Sequence, residues 1–248
     1  MRIFNKNLFT QLPDGILFDT DNTLYPYEPA HNSALKAVRE KMTEKFSITN
    51  EIFTKKYDEA KKIVKDRLGA TASSHSRLLY MQTILENLGL GSQVLLALDF
   101  EQTYWRTFLS NAILFDGVKD LLDEIRILGI PTAVVTDLTA QIQFRKVVYF
   151  GLDNYFDYIV TSEEAGFDKP HRSPFELALN KLASKGSKVW MIGDNPINDI
   201  IGAKKHINAV TILKVDKKNY SSVKDSNPDA SFYDYNDLRK LLIKLAKN

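Results

Sequence analysis

GILFDTDNT, residues 15–23, is a short unbroken apolar run that ends in two acids placed two residues apart. Continuous rather than alternating apolarity predicts a strand covered on both faces, as in a parallel sheet. The same pattern returns at residues 130–137 (IPTAVVTD), 158–162 (YIVTS), 188–194 (KVWMIGD) and 209–215 (AVTILKV). Helical stripes separate these runs. Val118, Leu121, Leu122, Ile125 and Leu128 form one, Phe175, Leu179 and Leu182 another, and Leu238, Leu241, Leu242 and Leu245 a C-terminal third. Strands alternating with helices predict a doubly wound α/β domain.

Between the first and second runs the rhythm changes. Four helical stripes follow one another with no strand pattern between them. They are Leu35/Val38/Met42/Phe46, Phe53/Tyr57/Ala60/Val64, Leu78/Leu79/Gln82/Leu85/Leu88 and Leu98/Trp105/Phe108/Leu109. Residues 26–112 therefore read as a helical bundle inserted into the α/β domain, which keeps residues 1–25 and 113–248. Ser173-Pro174-Phe175-Glu176 and Asn195-Pro196 both read as helix starts, with a capping side chain ahead of a proline.

Composition narrows the function. The chain has 248 residues, with 33 Lys+Arg against 31 Asp+Glu. A net charge of +2 gives no reason to expect a nucleic-acid partner. Cysteine is absent, which excludes disulfides, thiolate metal sites and a cysteine nucleophile. No apolar run approaches the ~20 residues needed to cross a bilayer, and residues 1–12 lack the pattern of a signal peptide. A cytoplasmic protein without a membrane partner, monomeric or homodimeric, is the expectation.

The chemistry sits at the strand ends. On an extended backbone Asp19 and Asp21 are alternate residues, so both carboxylates can reach one small volume once the chain turns. Like charges that close raise each other's pKa unless a cation or donor intervenes, and a divalent metal resolves the conflict. One acid can then serve as ligand and nucleophile while the other carries a proton. Thr136 closes the second apolar run, Lys169 precedes a helix start, and Asp194 and Asp199 flank Asn195-Pro196. Hard oxygen ligands of this kind suit Mg²⁺ better than zinc.

In these residues the chain resembles the haloacid dehalogenase superfamily of phosphohydrolases. Asp19-x-Asp21-x-Thr23, Thr136, Lys169-Pro170 and Gly193-Asp194 with Asp199 stand where its four motifs stand. The resemblance implies a Rossmann-like parallel-sheet core, an inserted all-helical cap domain, a Mg²⁺ ion and an aspartyl-phosphate intermediate. It implies that Asp19 attacks phosphorus and that Asp21 protonates the leaving oxygen and then activates water. Asp19, the Asp21 main-chain carbonyl, Asp194 and Asp199 would hold the metal. Thr20, Asn22, Thr136, Asp137 and Lys169 would surround the phosphoryl group. Asp137 departs from many relatives, which carry an uncharged residue there.

Relatives that break carbon–halide bonds lack an acid at the position of Asp21, so its presence favours a phosphate monoester. The expected activity is a Mg²⁺-dependent phosphatase acting on a small phosphorylated metabolite. A phosphomutase and a phospho-ligand-binding protein without turnover are the alternatives. A receiver-type signalling module fits less well, because its acid pair precedes the acceptor strand. Tyr25, Tyr27 and His31 near the hinge, and His75, Arg77 and Trp105 deeper in the inserted bundle, are candidates for substrate selection. Ser74 or Ser76 reads equally as a helix cap, and Tyr25 could stack a base.

Overall fold

The computed structural model describes residues 1–183, 188–217 and 227–247. The chain divides into two compact units. One comprises Met1–Tyr25 and Leu114–Asn248, the other Pro26–Ile113.

The first unit is built on a seven-stranded sheet. Its strands are β1 (Arg2–Ile3), β2 (Gly15–Phe18), β3 (Thr132–Thr136), β4 (Tyr158–Thr161), β5 (Val189–Gly193), β6 (Val210–Lys214) and β7 (Ala230–Phe232). Their spatial order is β1-β7-β6-β5-β2-β3-β4. Every pairing is parallel except β1 with β7. β2, β3, β5 and β6 are buried along their whole length, which is what an unbroken apolar run requires. Leu17, Ala133, Val135 and Met191 share a core with Phe175, Ala178, Ala203 and Ile207. That core seats α8 (Arg172–Leu182) and α9 (Gly202–Ile207) on the sheet. The alternate residues Ile16 and Phe18 are also wholly buried, so both faces are covered. The remaining helices of this unit are α5 (Val118–Ile127), α6 (Ala140–Tyr149), the single turn α7 (Ser162–Ala165) and α10 (Tyr235–Ala246).

Register decides where the chemistry lands. Phe18 pairs with Val134 on one side and Ile192 on the other. The ends of β2, β3 and β5 therefore lie level, and Asp19, Thr136 and Asp194 emerge together at their C-terminal edge. Open parallel sheets bind ligands at this edge.

The second unit is wholly helical among the described residues. It contains α1 (Tyr27–Phe46), α2 (Asn50–Leu68), α3 (Arg77–Asn87) and α4 (Val94–Asn111). The α2 stripe is buried as its sequence predicts. The α3 and α4 stripes are rotated from the predicted faces. α3 buries Tyr80, Met81, Ile84 and Leu85 and leaves Gln82 exposed; α4 buries Phe100, Tyr104, Trp105 and Phe108, with Leu98 exposed. Large aromatic and thioether side chains bury more area than the leucines beside them, and the helices turn to suit them. The cap of α8 also differs. His171 is the capping residue and accepts from Ser173 N–H, two residues ahead of the predicted serine. No described helix is long and apolar enough to cross a membrane.

Candidate active site

Asp19 follows the last residue of β2, and its N–H donates to the Ile192 carbonyl of β5 (2.9 Å). Both of its carboxylate oxygens are engaged. Thr23 Oγ1 donates to Oδ2 (2.8 Å) and Lys169 Nζ to Oδ1 (2.8 Å). The turn after the strand uses Asn22 in the left-handed region (φ 61°), a conformation asparagine tolerates. Tyr235 of α10 braces the turn from behind by donating its hydroxyl to the Thr23 carbonyl.

Lys169 is the hub. Buried, it also donates to the Val135 carbonyl (2.8 Å) and to Asp199 Oδ1 (2.7 Å). Its own backbone N–H donates to Asp137 Oδ1 (2.8 Å). Asp137 therefore turns to the lysine's main chain and fixes the segment that delivers it. Burial, outweighing Lys169, pushes Asp137 up to about 6. The next residue, Leu138, is held at φ 106° with its N–H on Ser162 Oγ (2.9 Å).

Asp194 and Asp199 come from β5 and the turn beyond it. Asn195 caps that turn as predicted, accepting from Ile197 N–H (3.0 Å) and Asn198 N–H (2.9 Å). The turn itself, Pro196–Ile201, is a π-helix rather than α, and it leads directly into α9. Asn195 N–H donates to Asp199 Oδ2 (2.9 Å), folding that carboxylate back under the strand end. Gly193 makes the approach possible, because a Cβ there would stand 2.4 Å from Asp199 Cγ.

Asp19, Asp194 and Asp199 each present a carboxylate oxygen within 4.8 Å of the other two. Burial and then the neighbouring Asp19 and Asp199 push Asp194 up to about 8. Burial likewise holds Asp19 at about 6 despite Lys169. Three hard oxygen donors crowded around one cationic side chain fit a divalent cation, which relieves the repulsion a lone lysine leaves.

Asp21 faces a different environment. Lys146 of α6, 2% exposed, donates to both its oxygens (2.8 and 3.1 Å), and the Tyr25 hydroxyl donates to Oδ1. Burial alone would raise its pKa, but Lys146 and Tyr25 hold it below the usual carboxylate range. Tyr25 is itself buried against Phe150, with ring centroids 4.9 Å apart, so it orients an acid and is not available to stack a base. Thr20 and Thr136 share a hydrogen bond between their hydroxyls (2.8 Å), and Gln143 of α6 donates to Thr136 Oγ1 (2.8 Å) and the Asp137 carbonyl (2.7 Å). Asn22 is exposed.

The structure thus brings together Asp19, Thr20, Asp21, Thr136, Asp137, Lys169, Asp194 and Asp199. Sequence reasoning passed over Gln143, Lys146 and Tyr235. The available signal was Gln143 and Lys146, three apart among the apolar positions of α6, directly after the strand that ends in Thr136.

Residues 13–206 match the haloacid dehalogenase-like hydrolase family model. The chain belongs to that family. Among curated relatives of this haloacid dehalogenase-like hydrolase, the ribulose-1,5-bisphosphate 5-phosphatase of Halopiger xanaduensis is 38% identical over 191 residues. The match covers 76% of this chain and 80% of that protein. The glyceraldehyde 3-phosphate phosphatase of Methanocaldococcus jannaschii is 27% identical, covering 94% and 97%. These relatives do not favour the phosphomutase alternative. Among solved structures, the 2-haloacid dehalogenase of Pseudomonas syringae superposes with a TM-score of 0.75 at 23% identity, covering 92% of this chain and 97% of that one. The HAD-hydrolase YfnB of Bacillus subtilis, solved with magnesium, gives 0.71 at 20%, covering 94% and 100%. Both share the fold: a Rossmann-like α/β core with an inserted helical unit.

Proposed function

We propose that this hydrolase is a Mg²⁺-dependent phosphatase that cleaves the monoester of a small phosphorylated sugar through an aspartyl phosphate on Asp19. The observation that carries the reading is the division of labour between two aspartates two residues apart. Asp19 lies in the acid–lysine centre, whereas Asp21 is held away from it by Lys146 and Tyr25. A nucleophile and a separate proton-handling group are what two-step phosphoryl transfer needs, and a haloacid dehalogenase would not need the second. The named activities of the relatives, on ribulose bisphosphate and glyceraldehyde 3-phosphate, supply the substrate class.

Asp19, Asp194, Asp199 and the Asp21 carbonyl would hold the Mg²⁺ ion, which when bound neutralises charge on the phosphoryl oxygens. An Asp19 oxygen attacks phosphorus as the bond to the ester oxygen breaks; Asp21, which Lys146 keeps ionised at rest, takes the proton of the phosphate monoanion and passes it to that oxygen. Asp21, now ionised, accepts a proton from water, whose oxygen attacks phosphorus and releases Asp19. Lys169 balances the charge that Asp19 carries before and after each transfer, and Thr20 and Thr136 offer hydroxyls to the phosphoryl oxygens. Asp137 acts indirectly, by fixing Lys169.

Phosphate release from p-nitrophenyl phosphate and a panel of sugar phosphates tests the reading. Wild type should turn over with Mg²⁺ and stop with chelator, and Asp19→Asn should be inactive. Folded wild type that releases no phosphate from any of them would overturn it.

A further inference from the structure

Gln143 of α6 is 1% exposed, and a single atom of it does all the hydrogen bonding of its side chain. Nε2 lies 2.7 Å from the Asp137 carbonyl and 2.8 Å from Thr136 Oγ1. The other amide atom, Oε1, is buried with no hydrogen-bond partner among the described residues. A buried acceptor left without a donor is costly, so packing alone gives no reason for an amide here. A methionine would fill the same space.

The contacts fix directions as well as distances. The Asp137 carbonyl can only accept, so the amide atom beside it is the nitrogen. Both nitrogen protons are then engaged, one on that carbonyl and one on Thr136 Oγ1. Thr136 has one proton of its own, which must leave on another side. The Asp137 carbonyl, 3.4 Å away, is already taken by Gln143, whereas Thr20 Oγ1 stands at 2.8 Å. Thr20 in turn donates to Asp21 Oδ1 (3.2 Å). The donors therefore run one way, from Gln143 to Thr136 to Thr20 to Asp21, and every link lies within the sheet-bearing unit.

We propose that Gln143 is a positioning residue that makes Thr136 a standing proton donor to the phosphoryl group, an assignment that rests on the phosphatase reading above for its ligand. A hydroxyl can meet a phosphoryl oxygen with its proton or with its lone pairs, and only the first attracts. Gln143 occupies the lone pair on its own side and keeps the Asp137 carbonyl from competing. The proton of Thr136 is left to swing from Thr20 to a phosphoryl oxygen when phosphate arrives.

Inorganic phosphate, titrated with Mg²⁺ present while the melting midpoint is read, gives an affinity without turnover. Gln143→Met should weaken phosphate about tenfold. Once Thr136→Val has removed the hydroxyl, the same substitution should change the affinity by about twofold or less. Gln143→Glu keeps the shape but places an oxygen where the nitrogen stood. Ionised, that oxygen accepts from Thr136; protonated, it gives its proton to the Asp137 carbonyl and still accepts from Thr136. Phosphate affinity should then fall further than with methionine, and this variant decides the matter if Gln143→Met does not fold. No loss in Gln143→Met, an equal loss with and without the Thr136 hydroxyl, or wild-type affinity in Gln143→Glu overturns the assignment. Wild type that binds phosphate but turns nothing over would defeat the phosphatase reading and leave these comparisons intact. Wild type that phosphate does not stabilise defeats both.

Discussion

Lys146 Nζ reaches both oxygens of Asp21 across 125 residues of sequence. The acid expected to move protons is thereby held by a buried cation on a helix that the nucleophile's strand never touches in sequence. Lys146 is a positioning residue, and its removal should show in the proton-dependent part of the reaction. Lys146→Met should lower kcat on an alkyl phosphate about 100-fold with little change in KM, and Lys146→Arg should recover part of the loss. p-Nitrophenyl phosphate, whose leaving group needs no proton, should suffer much less. Equal losses on both esters would show that Lys146 serves packing alone.

Gly193 and Asp199 make a second prediction. The 2.4 Å left for a Cβ means that Gly193→Ala displaces the Asp199 carboxylate from beneath the strand end. The Mg²⁺ concentration for half-maximal activity should rise at least tenfold, with a loss of about 1–3 kcal/mol in stability from overpacking. An unchanged Mg²⁺ titration and melting midpoint would mean that the turn absorbs the methyl group.

The acid cluster also predicts how stability depends on pH. Asp194 is pushed from 3.8 to about 8 in the folded chain, chiefly by burial, so the folded state resists losing its proton. The metal-free protein should therefore lose stability as pH rises from about 4 to about 8. Mg²⁺ should reverse the loss, and Asp194→Asn should reduce both effects, leaving the part of the pH dependence that Asp19 and Asp137 carry. Melting midpoints at pH 5 and pH 8, with Mg²⁺ or with chelator, measure all three. A metal-free midpoint with the same pH slope in wild type and Asp194→Asn would contradict this.

His31 gives the opposite sign. Burial, followed by the positive charges of Arg77 and Lys61, lowers it from 6.5 to about 4. Between those values the unfolded chain takes up a proton that the folded chain refuses, so stability falls as pH drops through this window. Above it His31 has no effect. Because the ring is partly exposed, the contribution is on the order of 1 kcal/mol. Urea unfolding of wild type should weaken more between pH 7.5 and pH 5 than that of His31→Gln. Parallel curves would refute it.

The parallel strands were legible because residues buried on both faces must be apolar without interruption; the runs at 15–19 and 188–194 match β2 and β5 to within a residue. β1 and β7, of two and three residues at one side of the sheet, are too short to carry a pattern. In α3 and α4 the leucines misplaced the buried face: Tyr80 and Tyr104 are buried where Leu78 and Leu98 were expected, while Trp105 and Phe108 are buried as predicted. The acids and Lys169 could be found because strand ends point to them. Lys146 was passed over, because a lysine on a helix ordinarily faces water; its place with Gln143 among the apolar positions of α6 was the one hint, and its distant partner Asp21 gives it the reason to be buried.

The order in which the chain visits the sheet has a kinetic consequence. β2 pairs with β3 on one side and β5 on the other, so its neighbours arrive only after more than a hundred residues have intervened. The bond from Lys169 to Asp19 closes a loop of 150 residues. The helical unit, by contrast, is one continuous segment whose contacts are comparatively local. Local contacts form early and long loops close late. During refolding, helical signal should return well before turnover does, and a truncated or stalled chain holding only residues 1–130 would carry its nucleophile on a strand with no partner on either side.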